Sequence, residues 1–121
     1  LAAAPAWPRG KGKPPRLRAG DTVSVISPAS TLEFPEQIER AAHWVRGMGL
    51  IPKFGAHAGA RHGYLAGTDE ERAADLNAAF RDPEVRAVFA LRGGWGAARI
   101  LPLLDWKAIR AHPKLLIGFS D

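Results

Sequence analysis

The chain has 121 residues, no cysteine and a formal net charge of +5. That length suits one modest domain with a core of its own, and the missing thiols exclude a disulfide framework and a cysteine-ligated metal. No apolar run approaches the roughly 18 residues that a membrane-crossing helix needs.

The charge is unevenly placed. Residues 1–20 carry Arg9, Lys11, Lys13, Arg16 and Arg18 with no acidic residue, whereas residues 21–121 hold 12 Lys and Arg against 12 Asp and Glu. The basic stretch reads as a solvated, disordered tail. It does not read as a nucleic-acid or anionic-lipid surface, because no aromatic-interleaved basic face continues from it. Leu1-Ala2-Ala3-Ala4-Pro5-Ala6 has the small-x-small pattern that ends a signal peptide, and an Ala-rich chain edge looks the same. The compartment is read as cytoplasmic, with the periplasm as the alternative.

Element types alternate from residue 21 onward. Thr22 to Ser27 is short and β-branched, follows the turn pair Gly20-Asp21 and stops at Pro28: a first strand. Pro35 to Met48 places Ile38, Ala41, Ala42, Val45 and Met48 at helical spacing, with Gly49 just past the end. Leu50 to Phe54 is a brief second strand whose internal Pro52 assigns it to a sheet edge. Residues 55–68 read as a long loop. Thr68 and Glu71 then have capping-box spacing, opening a helix that runs to about Phe80 and closes at Asp82-Pro83. Val85 to Leu91 is a third strand, apolar enough to be covered on both faces. Gly93-Gly94-Trp95-Gly96 is a turn, followed by helices over 97–104 and 105–111. Leu115-Leu116-Ile117-Gly118 is read as a last, buried strand. The order β-α-β-α-β-α-β predicts a parallel, doubly wound α/β domain with helices on both faces.

In such a sheet, ligands gather beyond the carboxyl ends of the strands. Three segments end there: Ser27-Pro28-Ala29-Ser30, Arg92 to Gly96, and Gly118-Phe119-Ser120-Asp121. A strand that runs out at a serine is half of a nucleophile elbow, although serines in that place also cap helices. As a nucleophile, Ser120 would have the Asp121 amide suited to an oxyanion, and the glycines at 93 and 94 would let backbone N–H groups join it. Arg92 suits a substrate carboxylate or a structural ion pair, and Trp95 suits a packed or wall position. A serine needs a base, normally a histidine held by a carboxylate. His43 lies in the first helix and His112 at the far end of the last strand. His57 and His62 lie on the loop after the second strand and read as surface residues. No metal-ligand spacing occurs.

The succession Ala19-Gly20-Asp21-Thr22-Val23, Ser27-Pro28-Ala29-Ser30, Leu65-Ala66-Gly67-Thr68-Asp69, Arg92-Gly93-Gly94-Trp95-Gly96 and Ile117-Gly118-Phe119-Ser120-Asp121 resembles the amino-terminal domain of the LD-carboxypeptidases, serine peptidases that include the microcin C immunity proteins. The similarity covers about residues 16–121. It implies a flavodoxin-like or Rossmann-like domain truncated before a second, β-rich domain that this chain lacks. It implies removal of the terminal D-alanine from muropeptide tetrapeptides in peptidoglycan recycling, with no cofactor, and commonly a homodimer. Ser120 then matches the nucleophile, and Asp121 with Gly93 or Gly94 the oxyanion hole. Trp95 replaces the family's usual tyrosine. The family's catalytic Glu and His belong to the second domain, so the chain by itself is expected to be inactive. Two other readings stand beside this one. The first is a non-catalytic binding or self-assembling flavodoxin-like domain. The second is a nucleotide- or phosphate-binding module, which the lack of a phosphate-loop lysine or full dinucleotide fingerprint disfavours.

Overall fold

The structure is a computed structural model that describes residues 13–120. Its elements are β1 (Thr22–Ile26), α1 (Glu36–Gly47), β2 (Ile51–Phe54), α2 (Asp69–Arg81), β3 (Val85–Ala90), a 3-10 helix (Ala97–Leu103), α3 (Trp106–Ala111) and β4 (Leu115–Ile117). All strand pairs are parallel and the sheet order is β2-β1-β3-β4. The expected α/β architecture is present, and the proline-bearing β2 takes an edge as its sequence predicts.

Period-two alternation divides the sheet's side chains between two cores. Val23 and Val25 of β1 join Ala87 of β3 under Val45 of α1 and Leu50. On the other face, Ile26 and Val88 pack with Ala73, Leu76, Ala79 and Phe80 of α2 and with Ile100 of the 3-10 helix, and Val85 joins them because the β1–β3 register shifts between it and Ala87. Ala87 and Val88 are adjacent and both fully buried, so the middle of β3 is covered on both faces. Burying a valine such as Val88 contributes about 1.5–3 kcal/mol.

The α2 start is built as its spacing predicts. Thr68 Oγ1 accepts from the Glu71 amide at 3.2 Å, and Glu71 Oε1 accepts from the Thr68 amide at 3.3 Å. This closes a capping box.

Two elements differ from expectation. The stretch after the glycine turn is a 3-10 helix and not an α-helix, with Pro102 inside it. The missing N–H of a proline breaks the i to i−4 ladder, and a tighter, short helix tolerates that loss. The strand read as buried, β4, lies at the sheet edge with Leu116 57% and Ile117 46% exposed. Its only neighbour among the described residues is β3.

Most of the basic amino-terminal stretch, residues 1–12, lies outside the described residues, as does the signal-like Leu1–Ala6. Nearer the domain, Leu17 packs on the β1–α1 core, and the Gly20 amide donates to Gly49 O at 2.7 Å. No helix among the described residues is long and apolar enough to cross a membrane.

Candidate active site

The carboxyl ends of β1, β3 and β4 come together as the parallel order requires. Ser120, exposed, follows β4 in a left-handed conformation with φ of +61°. Among the described residues it is the one non-glycine with positive φ, a costly conformation for a residue with a Cβ. A sharp strand-end turn that lifts a hydroxyl clear of the sheet has this character.

Gly93 is where Ser120 meets β3. A methyl built on Gly93 would lie 2.9 Å from Ser120 Cβ and 2.5 Å from the Phe119 carbonyl oxygen. Only a residue without a side chain allows that approach. Gly94 follows with φ of +95°, and a methyl there would strike the Tyr64 hydroxyl and lie 2.8 Å from Ser30 Oγ. The turn is tied on its other side to the loop after β1. Buried Ser30 donates to the Gly93 carbonyl through its hydroxyl at 2.6 Å and through its amide at 3.4 Å. The Trp95 amide donates to Tyr64 Oη at 3.3 Å. The amides of Gly93 and Gly94 donate to no other described residue.

Arg72 holds these loops from beneath. Its side chain is fully buried and is the largest such side chain in the described domain. It donates from Nη1 to Pro28 O at 2.9 Å and to Gly96 O at 3.0 Å, and from Nε to Gly67 O at 3.3 Å. Its Nη2 is ion-paired with Asp69. A buried guanidinium is costly to desolvate, and here three carbonyls and one carboxylate take four of its five N–H donors. Asp69 also takes Arg99, at 3.0 and 2.8 Å, and that hydrogen-bonded guanidinium holds the Asp69 carboxyl below the usual carboxylate range. Arg72 is the site residue that motif reading missed. The available signal was its place on α2, four residues before Leu76 and one before Ala73, both core positions.

Arg92, a candidate for a substrate carboxylate, donates to Thr31 O at 3.2 Å and pairs with Glu33 at 3.1 Å. The structural ion pair is therefore what the described residues contain. Trp95 is 58% exposed, with the Arg99 guanidinium 5.7 Å from its ring centroid. It is not packed in the core. Asp121, whose amide was expected to serve the oxyanion, lies outside the described residues.

His57 is not the surface residue expected. Its Nδ1 lies 2.8 Å from buried Asp75, its amide donates to the same carboxylate at 2.9 Å, and its Nε2 lies 3.3 Å from Glu71. Both ring nitrogens are thereby engaged with α2. His43 stacks edge-on against Trp44 on α1, and His112 caps the end of α3. Among the described residues no hydrogen bond joins a histidine to Ser120.

Beside Ser120 lies an apolar cavity of about 420 Å³, lined by Leu76, Ile100, Leu104, Trp106, Leu116 and Phe119 among others. Its walls are the second core's outer helices and the exposed side of β4.

A family model described as the LD-carboxypeptidase N-terminal domain matches residues 23–121. The Bacillus subtilis protein named "Probable murein peptide carboxypeptidase" is 47% identical over 109 residues, 90% of this chain and 34% of that protein. The Pseudomonas aeruginosa murein tetrapeptide carboxypeptidase is 43% identical over 100 residues, 82% of this chain and 32% of that protein. The solved MccF-like protein from Bacillus anthracis superposes with a TM-score of 0.84 at 31% identity, covering 91% of this chain and 34% of that one. The chain thus spans about a third of the relatives it matches. It belongs to the LD-carboxypeptidase family.

Proposed function

We propose that this family member is the nucleophile-bearing domain of a serine peptidase that cleaves the L–D peptide bond of muropeptide tetrapeptides and releases the terminal D-alanine. The observation that carries the reading is the seating of Ser120, at positive φ, directly against Gly93. The relatives' names, murein peptide and murein tetrapeptide carboxypeptidase, support the substrate class.

In this reading Ser120 Oγ attacks the scissile carbonyl carbon while a base takes its proton. The carbonyl oxygen becomes an oxyanion, met by the amide of Gly93 or Gly94 and by that of Asp121. The C–N bond then breaks, and the base returns the proton to the departing D-alanine amine. Water hydrolyses the Ser120 ester by the same steps in reverse role. No cofactor enters. The base and the carboxylate that orients it come from a further domain, so residues 1–121 alone bind and position but do not turn over. The cytoplasm is the proposed compartment, the periplasm being the alternative.

The experiment uses the full-length protein. A fluorophosphonate should label Ser120, and Ser120→Ala should abolish both labelling and D-alanine release from a murein tetrapeptide. Release that survives in Ser120→Ala refutes the nucleophile assignment. A second reading, a binding or self-assembling domain, is favoured by the apolar cavity and the exposed Leu116 and Phe119. Under that non-catalytic reading fluorophosphonate labelling is absent in the wild type while the self-associated form persists.

A further inference from the structure

We infer that Ser30 is a positioning residue that aims the Gly94 amide at the oxyanion. The inference rests on the reading of Ser120 as nucleophile and adds to it a residue on a different strand end.

The argument starts from the peptide unit between Gly93 and Gly94. A trans peptide is planar, so its C=O and N–H point in opposite directions, and fixing one fixes the other. The structure fixes the carbonyl. Ser30 Oγ donates to Gly93 O at 2.6 Å, and the Ser30 amide reaches the same oxygen at 3.4 Å. Ser30 is 3% exposed, so water does not compete for that carbonyl from its side. The Gly94 N–H is therefore turned away from Ser30, and it has no acceptor among the described residues.

Rotation of this unit would otherwise be easy. It joins two glycines, the residues with the widest range of φ and ψ, and Gly94 already uses φ of +95°. An amide that must be in place before charge develops cannot sit on such a hinge unless something holds the peptide plane. The next amide, that of Trp95, is occupied by Tyr64 Oη at 3.3 Å, which leaves the Gly93 and Gly94 amides open among the described residues, and of these two the Gly94 amide is the one set by the Gly93 carbonyl. Ser30 is itself held in place. Its backbone bridges to Leu65, the Thr31 amide donates to Tyr64 O at 2.9 Å, and Pro28 is tied down by Arg72. The hydroxyl thus transmits the rigidity of β1 and the β2–α2 loop to the one soft peptide of the site.

The test compares Ser30→Ala, Ser30→Thr and Ser30→Cys with wild type in the full-length protein. Removing an oxyanion donor outright costs about 100- to 1,000-fold in kcat, and loosening one costs less, about 10- to 100-fold. Ser30→Ala should lower kcat by that smaller factor with KM within about threefold, and should weaken binding of a tetrahedral peptidyl boronate by the same factor as kcat. Ser30→Thr, which keeps a hydroxyl, should restore both. Ser30→Cys, a weaker donor, should fall between, and it carries the test alone should Ser30→Ala not fold. Wild-type kcat in either Ser30→Ala or Ser30→Cys overturns the inference. So does a loss of kcat matched only by a lower melting temperature, with boronate affinity unchanged. If instead wild-type protein neither labels at Ser120 nor releases D-alanine, the proposed function fails and not this inference alone.

Discussion

The ammonium of Lys114 donates to the carbonyl of Ala79 at 2.8 Å. The helical partner of that carbonyl would be the amide of residue 83, which is a proline and has none. The same ammonium donates to Asp82 O at 2.6 Å, so a side chain at the start of β4 finishes the end of α2. Lys in this place also complements the negative end of the helix.

Replacing Lys114 by Met keeps the apolar stem and removes the donors. The buried Ala79 carbonyl is then unsatisfied, and the cost should be about 1–3 kcal/mol. Thermal unfolding of Lys114→Met against wild type at pH 7 checks it. An unchanged melting temperature would mean that water takes over the carbonyl.

Stability should also depend on pH through this residue. Burial, aided by nearby Arg86 and opposed by Asp82, pushes the Lys114 ammonium down to about 8. An unfolded lysine titrates near about 10.4, so between those values the unfolded chain binds more protons than the folded one. This contribution therefore rises with pH across that window. Neutral Lys114 still has two N–H donors for its two carbonyls. Lys53 acts in the opposite sense. Its hydrogen bond to Asp82 raises its pKa, and that support is lost only at higher pH. The stability gap between wild type and Lys114→Met should widen from pH 7.5 to pH 10, and a gap that narrows contradicts the assignment.

Thr68→Ala removes one half of the capping box and frees the Glu71 amide. The expected loss is about 1 kcal/mol, or roughly 4–8 °C for a domain of this size. Thr68→Ser should recover most of it. Thermal unfolding of the two variants reads the difference.

Gly93→Ala should damage the site more than the fold. The added methyl meets the Phe119 carbonyl and Ser120 Cβ, so β4's end must move aside. A displacement near 1 Å at a reacting group costs about 100-fold in rate. Fluorophosphonate labelling of Ser120 in the full-length protein should slow by about that factor while the circular dichroism spectrum is retained. Labelling at the wild-type rate would show that Ser120 does not depend on this approach.

Much of this arrangement was legible in the chain. The capping box, the edge position of the proline-bearing β2 and the small residues at each of three strand ends are local patterns, each set by residues a few positions apart. The burial of Arg72 was harder to read, because an arginine in a polar helix segment ordinarily points to water. What draws it inward is three carbonyls from three separate loops, a pattern only the fold assembles. His57 was misread for the same reason, since its partner Asp75 is 18 residues away. The exposure of β4 shows a different limit. Apolar side chains tell that a surface is to be covered, and they do not name the neighbour.

The register of β3 and β4 has one more consequence. Phe89 stands opposite Ile117, and Gly93 and Ser120 follow four and three residues later. Counting along two short strands is thus what brings serine and glycine level. One inserted or deleted residue in either stretch would shift an end by about 3.3 Å and turn alternate side chains to the opposite face. Point changes there are graded in effect, but changes of length are all or nothing.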